Sequence, residues 1–98
     1  MNIENYKLSN LSAENVEATI NSGDCCLIEA GLTSDGLFSI SECHDVNICG
    51  TFMRGKCIAY DGLPTIPLRD IHEYEIFYLC KKSEKKELLD ALIKHFNK

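Results

Sequence analysis

The sequence predicts an α+β fold: a single antiparallel sheet of about five strands with an N-terminal and a C-terminal helix packed on it. Three observations lead there. Segments with helix caps and helical spacing of apolar residues stand at both ends of the chain. Between them lie short runs with strand-like patterning, punctuated by glycine turns. The order is therefore helix, five strand-like runs, helix, which suits one sheet with helices on a face.

A short helix is expected from Ala13 to Ser22. Ser12 is placed to cap it, Glu14 and Glu17 suit the positive end of its dipole, and Gly23 supplies a left-handed stop. Ala13, Val16 and Ile20 form its apolar face, and Leu11 before the cap can staple to Val16. Cys25 to Thr33 follows as a strand, with Cys26, Ile28, Ala30 and Leu32 in one phase and Glu29 in the other. Ser34-Asp35-Gly36 turns the chain into Leu37 to Glu42, where Phe38 and Ile40 point inward. Val46 to Met53 reads as a third strand, weakened or bulged at Gly50. Arg54-Gly55-Lys56 is expected to be a turn, and Cys57 to Tyr60 a short fourth strand.

Pro64 and Pro67 exclude Asp61 to Asp70 from the middle of a sheet, while Leu63, Ile66 and Leu68 suggest a loop laid against the core. His72 to Lys81 carries apolar residues in both phases. Both its faces should then be covered, which places it centrally in the sheet. Ser83 is expected to cap a last helix from Glu84 to about Phe96. Leu88, Leu89, Leu92, Ile93 and Phe96 share one stripe of it, with the basic Lys94, His95 and Lys98 at its end.

Ninety-eight residues make one domain, 1–98, without room for a second core. The composition, 45% hydrophobic and 26% charged, excludes a disordered or fibrous chain. Net charge is −5, unevenly distributed. Met1 to Met53 holds eight acidic residues against the single base Lys7, whereas the remainder is slightly basic. An acidic half repels nucleic acid and anionic membranes and attracts basic surfaces. The first residues lack a secretory signal, the apolar runs are too short for a bilayer, and no lipidation motif is present, so a cytoplasmic protein is expected. There the six cysteines (Cys25, Cys26, Cys43, Cys49, Cys57 and Cys80) should stay reduced and serve as small apolar side chains.

Motifs for chemistry are weak. Gly50 to Cys57 comes within one residue of a phosphate-binding loop, but cysteine replaces the magnesium-ligating hydroxyl and the following residues are strand-like. No two cysteines have the spacing of a zinc site, so no metal is assigned. Cys43-His44 would point to opposite faces of a strand and cannot act as a nucleophile–base pair. Lys81, Lys82, Lys85 and Lys86 cluster without the aromatic residues that a nucleic-acid surface interleaves. The expectation is therefore no enzyme, no catalytic residue, no cofactor, no nucleic-acid and no membrane partner.

What the profile favours is a non-enzymatic protein-binding module. It would be a small acidic inhibitor, of the immunity or antitoxin kind, covering the functional surface of a basic, toxin- or nuclease-like protein. Asp24, Glu29, Asp35, Glu42, His44 and Asp45 are its candidate contact residues. It would be a monomer or an edge-strand dimer. The alternative is a small metal-binding or redox-sensing regulator built on Cys43, Cys49 and His44.

Overall fold

Ser12 does cap the first helix. Its Oγ accepts from the Asn15 backbone N–H at 3.1 Å, an interaction worth about 1 kcal/mol. The computed structural model describes residues 1–57 and 65–97. Within them α1 spans Ala13–Asn21 and α2 Lys85–Phe96. The strands are β1, Cys25–Leu32; β2, Phe38–Cys49; β3, Phe52–Cys57; β4, Thr65–Pro67; and β5, Phe77–Lys81. They form one antiparallel sheet in the order β4-β3-β2-β1-β5. The expected α+β architecture is present, with one helix on each face.

The pleat of β1 divides the core. Cys25 and Leu27 point to one face, Cys26, Ile28 and Ala30 to the other, and all five are buried. On the first face, Val16 and Ile20 of α1 meet Leu27, Cys43, Met53, Phe77 and Leu79. On the second, Leu88 and Leu92 of α2 meet Ile28, Tyr78 and Cys80. Burying a leucine of this kind contributes roughly 1.5–3 kcal/mol. Leu11 packs into the same cluster as Val16, as a staple should. Ala13 stays exposed, so the apolar face of α1 is narrower than its sequence suggests.

Several sequence expectations are corrected. Leu37 to Glu42 and Val46 to Met53 are not separate strands, because β2 runs through both and turns only at Gly50-Thr51. Gly50, at φ 63°, is a turn residue and not a weak point within a strand. Arg54-Gly55-Lys56 consequently lies inside β3. The reason is a bulge. The β2–β3 register shifts between His44 and Asn47, so Asp45 and Val46 together face Gly55. Asp45 adopts φ 54° to make it. A Cβ at Gly55 would stand 3.2 Å from Val46 Cγ2 and 3.3 Å from Cys43 Cβ. Any larger residue there would crowd both side chains across the bulge.

Cys57 ends β3, and the rest of the expected fourth strand, 58–60, lies outside the described residues. Of the proline segment, Thr65–Pro67 forms the short edge strand β4, where a missing N–H is tolerated. Residues 68–73 wind into a 3-10 turn, so the last strand begins at Phe77. It is also not central. β5 is the other edge, yet both its faces are covered, by α1 and by α2. Its outer rim is closed by the N-terminal segment, where the Leu79 N–H donates to the Tyr6 carbonyl at 2.9 Å. Ser83 does not cap α2. It sits in a 3-10 turn, Lys82–Glu84, and the Glu84 carboxylate accepts from the Lys81 N–H at 3.3 Å.

Candidate protein-binding surface

The strand pairing decides where the six candidate contact residues stand. Glu42 lies opposite Ile28 in the register and therefore on the α2 face. There its Oε2 is 3.2 Å from His44 Nε2 and 3.5 Å from Lys85 Nζ. Asp45 follows at the bulge. Asp24 precedes β1 at one end of the sheet, where its carbonyl accepts from the Lys82 N–H at 3.2 Å. Glu29 sits further along β1 in the phase of the α1 face. Asp35 occupies the turn beyond the end of β1, so the length of that eight-residue strand, about 26 Å at roughly 3.3 Å per residue, lies between it and Asp24.

Glu42, His44 and Asp45 thus share one stretch of β2, while Asp24, Glu29 and Asp35 are spaced along β1 from end to end. They do not form one continuous acidic face. Glu42 is moreover engaged by a lysine from the basic half of the chain.

Another surface stands out at the turn end. Here β1 and β2 are joined by a tightly bonded connection. The Thr33 N–H donates to the Leu37 carbonyl at 2.8 Å, the Gly36 N–H to the Thr33 carbonyl at 2.9 Å, and the Leu37 N–H to Thr33 Oγ1 at 3.2 Å. Gly36 takes φ 78° to complete it. The turn holds its flanking leucines outward, Leu32 at 59% and Leu37 at 66% exposure. Ile76, 48% exposed, lies beside Leu32, and its carbonyl accepts from the Ala30 N–H at 2.9 Å. A shallow groove of about 210 Å³ runs between Ile76 and the β1 edge, with Glu29, Gly31, Leu32 and Ser39 along it. Asp35 is exposed in the turn, Glu75 precedes Ile76 in the chain and is also exposed, and Glu29 lines the groove itself.

Contiguous exposed apolar groups rimmed by polar residues mark protein-contact surfaces. Sequence reasoning placed Leu32 in the inward phase and did not single out Leu37 or Ile76. A legible signal existed: two leucines immediately flank a polar turn, where a strand has already left the core. Lys85 was also missed as a partner of Glu42, since the two meet only through the packing of α2 on β2.

The alternative cysteine site is not assembled. Cys43 is buried on the α1 face, His44 points to the α2 face, and exposed Cys49 lies at the far end of β2. Among the described residues, no group of three or more His, Cys, Asp or Glu side chains is arranged to hold a metal ion. Several polar groups are shifted by their surroundings. The Tyr6 hydroxyl donates to Glu84 Oε2 at 2.6 Å, and this bond to a carboxylate, with burial and the Glu84 charge, pushes its pKa up to about 12. Burial raises the Cys25 thiol above its ordinary value, with the neighbouring Cys26 adding to the effect.

No helix among the described residues is long and apolar enough to cross a membrane. Compared with protein-family models, curated proteins and solved structures, the chain matches none.

Proposed function

We propose that this protein is a non-enzymatic binding module that acts in the cytoplasm by covering a basic protein partner, an inhibitor of the immunity or antitoxin kind. The observation that carries the reading is the turn end of the sheet, where Leu32 and Leu37 flank a hydrogen-bonded turn in solvent, exposed Ile76 lines a groove with Leu32 and Glu29, and Asp35 stands exposed in the turn. The apolar side chains supply the anchor, because burying them on a partner releases water at roughly 25 cal/mol per Å². The carboxylates supply encounter rate and register, and they select a partner whose apolar contact is rimmed by lysine or arginine. The proposed contact surface thus shifts from the six expected residues to the turn end of the sheet. Glu29 and Asp35 remain in it, whereas Asp24, Glu42, His44 and Asp45 do not.

The test is paired affinity capture from the native host, using the wild-type chain and a Leu32→Ser/Leu37→Ser chain as baits. A basic protein retained by the first and lost by the second supports the reading, provided its retention weakens between low and physiological salt. Equal retention by both baits, or retention indifferent to salt, overturns it.

A further inference from the structure

Cys26 and Cys80 lie at the opposite end of the sheet from that surface. Their Sγ atoms are 3.3 Å apart, and both residues are buried, at 0% and 2% exposure. The two are direct partners in the β1–β5 ladder. The Ala30 N–H bonds to the Ile76 carbonyl and the Lys82 N–H to the Asp24 carbonyl. Hydrogen-bonded pairs recur at every second position, so 26 and 80 also form such a pair, with Cα atoms about 5.5 Å apart. That separation falls in the middle of the roughly 4.4–6.8 Å range that disulfides span. Both side chains also point to the same face, under α2. Closing the pair to a bond of about 2.05 Å requires an approach of only about 1.3 Å, within reach of a rotamer adjustment.

We propose that Cys26 and Cys80 form a reversible disulfide in response to a small peroxide oxidant, stapling the edge strand β5 to β1. Peroxide is the fitting oxidant class because the pair is buried beneath α2, where a mixed disulfide with a bulky thiol has no room. In the first step the Cys26 thiolate attacks one peroxide oxygen. The S–O bond forms, the O–O bond breaks, and the departing hydroxide leaves as water with a proton, giving a sulfenic acid. The Cys80 sulfur then attacks Cys26 sulfur, the S–S bond forms, the S–O bond breaks, and the hydroxyl leaves as water with the Cys80 proton. Two thiols and one peroxide give one disulfide and two waters.

Cys26 is suited to attack first. The hydrogen bond from Cys80 lowers its pKa, Lys85 and Lys82 help, and burial and Glu42 oppose them. The Cys80 thiol is raised correspondingly by its bond to Cys26 and by burial, and so it keeps the proton. The staple joins residues 54 positions apart in the chain, closing a long loop that restricts the unfolded state.

The experiment treats the full chain with hydrogen peroxide, blocks remaining thiols after unfolding, and maps linked fragments without reduction. The expected result is a monomer two hydrogens lighter, with the segment bearing Cys26 joined to that bearing Cys80. Its thermal midpoint should be several degrees higher, and dithiothreitol should reverse both changes. In Cys80→Ala or Cys26→Ala, either of which suffices, peroxide should leave the midpoint unraised. Recovery of Cys26 and Cys80 as free thiols under conditions that oxidise exposed Cys49 would overturn the proposal. So would linkage of either to another cysteine, or an equal midpoint rise in the variants.

Discussion

The two ends of the sheet treat their reactive and apolar groups in opposite ways. At the end where β1 begins, the groups find one another. Cys26 meets Cys80, Lys85 meets Glu42, Glu42 meets His44, and the Tyr6 hydroxyl meets Glu84. At the end where β1 turns into β2, Leu32, Leu37 and Ile76 face solvent and Asp35 stands exposed in the turn. One end spends its side chains on the fold. The other leaves them in solvent at and beside a turn closed by its own hydrogen bonds, which lowers the ordering cost that a partner would meet. The contrast teaches that a local excess of acidic residues says little about recognition until the pairings are known.

The largest effects should come from the interior of the partnered end. Leu88→Ala removes a side chain with no exposure that locks α2 over Ile28 and Cys80. Urea unfolding should show a loss of about 2–5 kcal/mol. A loss under 1 kcal/mol would mean that α2 is dispensable and the contrast between the ends is false. Gly55→Ala should rank next, at about 1–3 kcal/mol, since its new methyl group crowds Val46 and Cys43 across the bulge. The same substitution at Gly31, whose new methyl group would meet Ile76 Cγ2 at an ordinary 3.7 Å, should change stability little, so the comparison isolates the bulge as the cause.

How much of this could be read beforehand follows from which interactions are local. Ser12 as a cap, Gly23 as a stop and the Leu88–Leu92 spacing involve only neighbours within a turn, and α1 and α2 lie close to where these signals put them. The β2–β3 turn was misplaced for a physical reason. Arg54-Gly55-Lys56 has turn chemistry, but Gly55 exists to admit the Asp45–Val46 bulge from another strand. The position of β5 failed similarly. Apolar residues in both phases report that both faces are covered, and they do not report that a non-periodic N-terminal segment closes the edge. The acidic residues were legible as a count and not as a surface, because the pleat of β1 and β2 sends neighbours to opposite faces and α2 brings Lys85 to one of them.

Tyr6 sharpens the comparison through pH. Its hydroxyl is neutral in the folded chain up to about 12, whereas an unfolded tyrosine ionises near 10. The raised folded value means that the Tyr6–Glu84 bond contributes stability in full below about pH 10, and that the contribution fades as pH rises toward 12. An absorbance titration should therefore show a late-ionising tyrosine that Tyr6→Phe removes. In addition, the stability of Tyr6→Phe should depend less on pH across that window. An unchanged titration curve would show that the two side chains do not meet in solution.

Smaller still is Glu42→Gln, which removes the anionic partner of Lys85 and His44. That pair is about one-quarter to one-third exposed, so screening should hold the loss below about 1 kcal/mol, falling further in high salt. The smallest effect on folding belongs to the other end and is the most informative. Leu32→Ser/Leu37→Ser changes side chains that are mostly in water already, so urea unfolding should move by no more than about 0.5 kcal/mol per substitution. A variant that folds as the wild type does, yet loses its partner, separates the surface kept for recognition from the surface used by the fold. A loss of several kcal/mol would instead assign those leucines to the core, and the difference between the two ends would disappear.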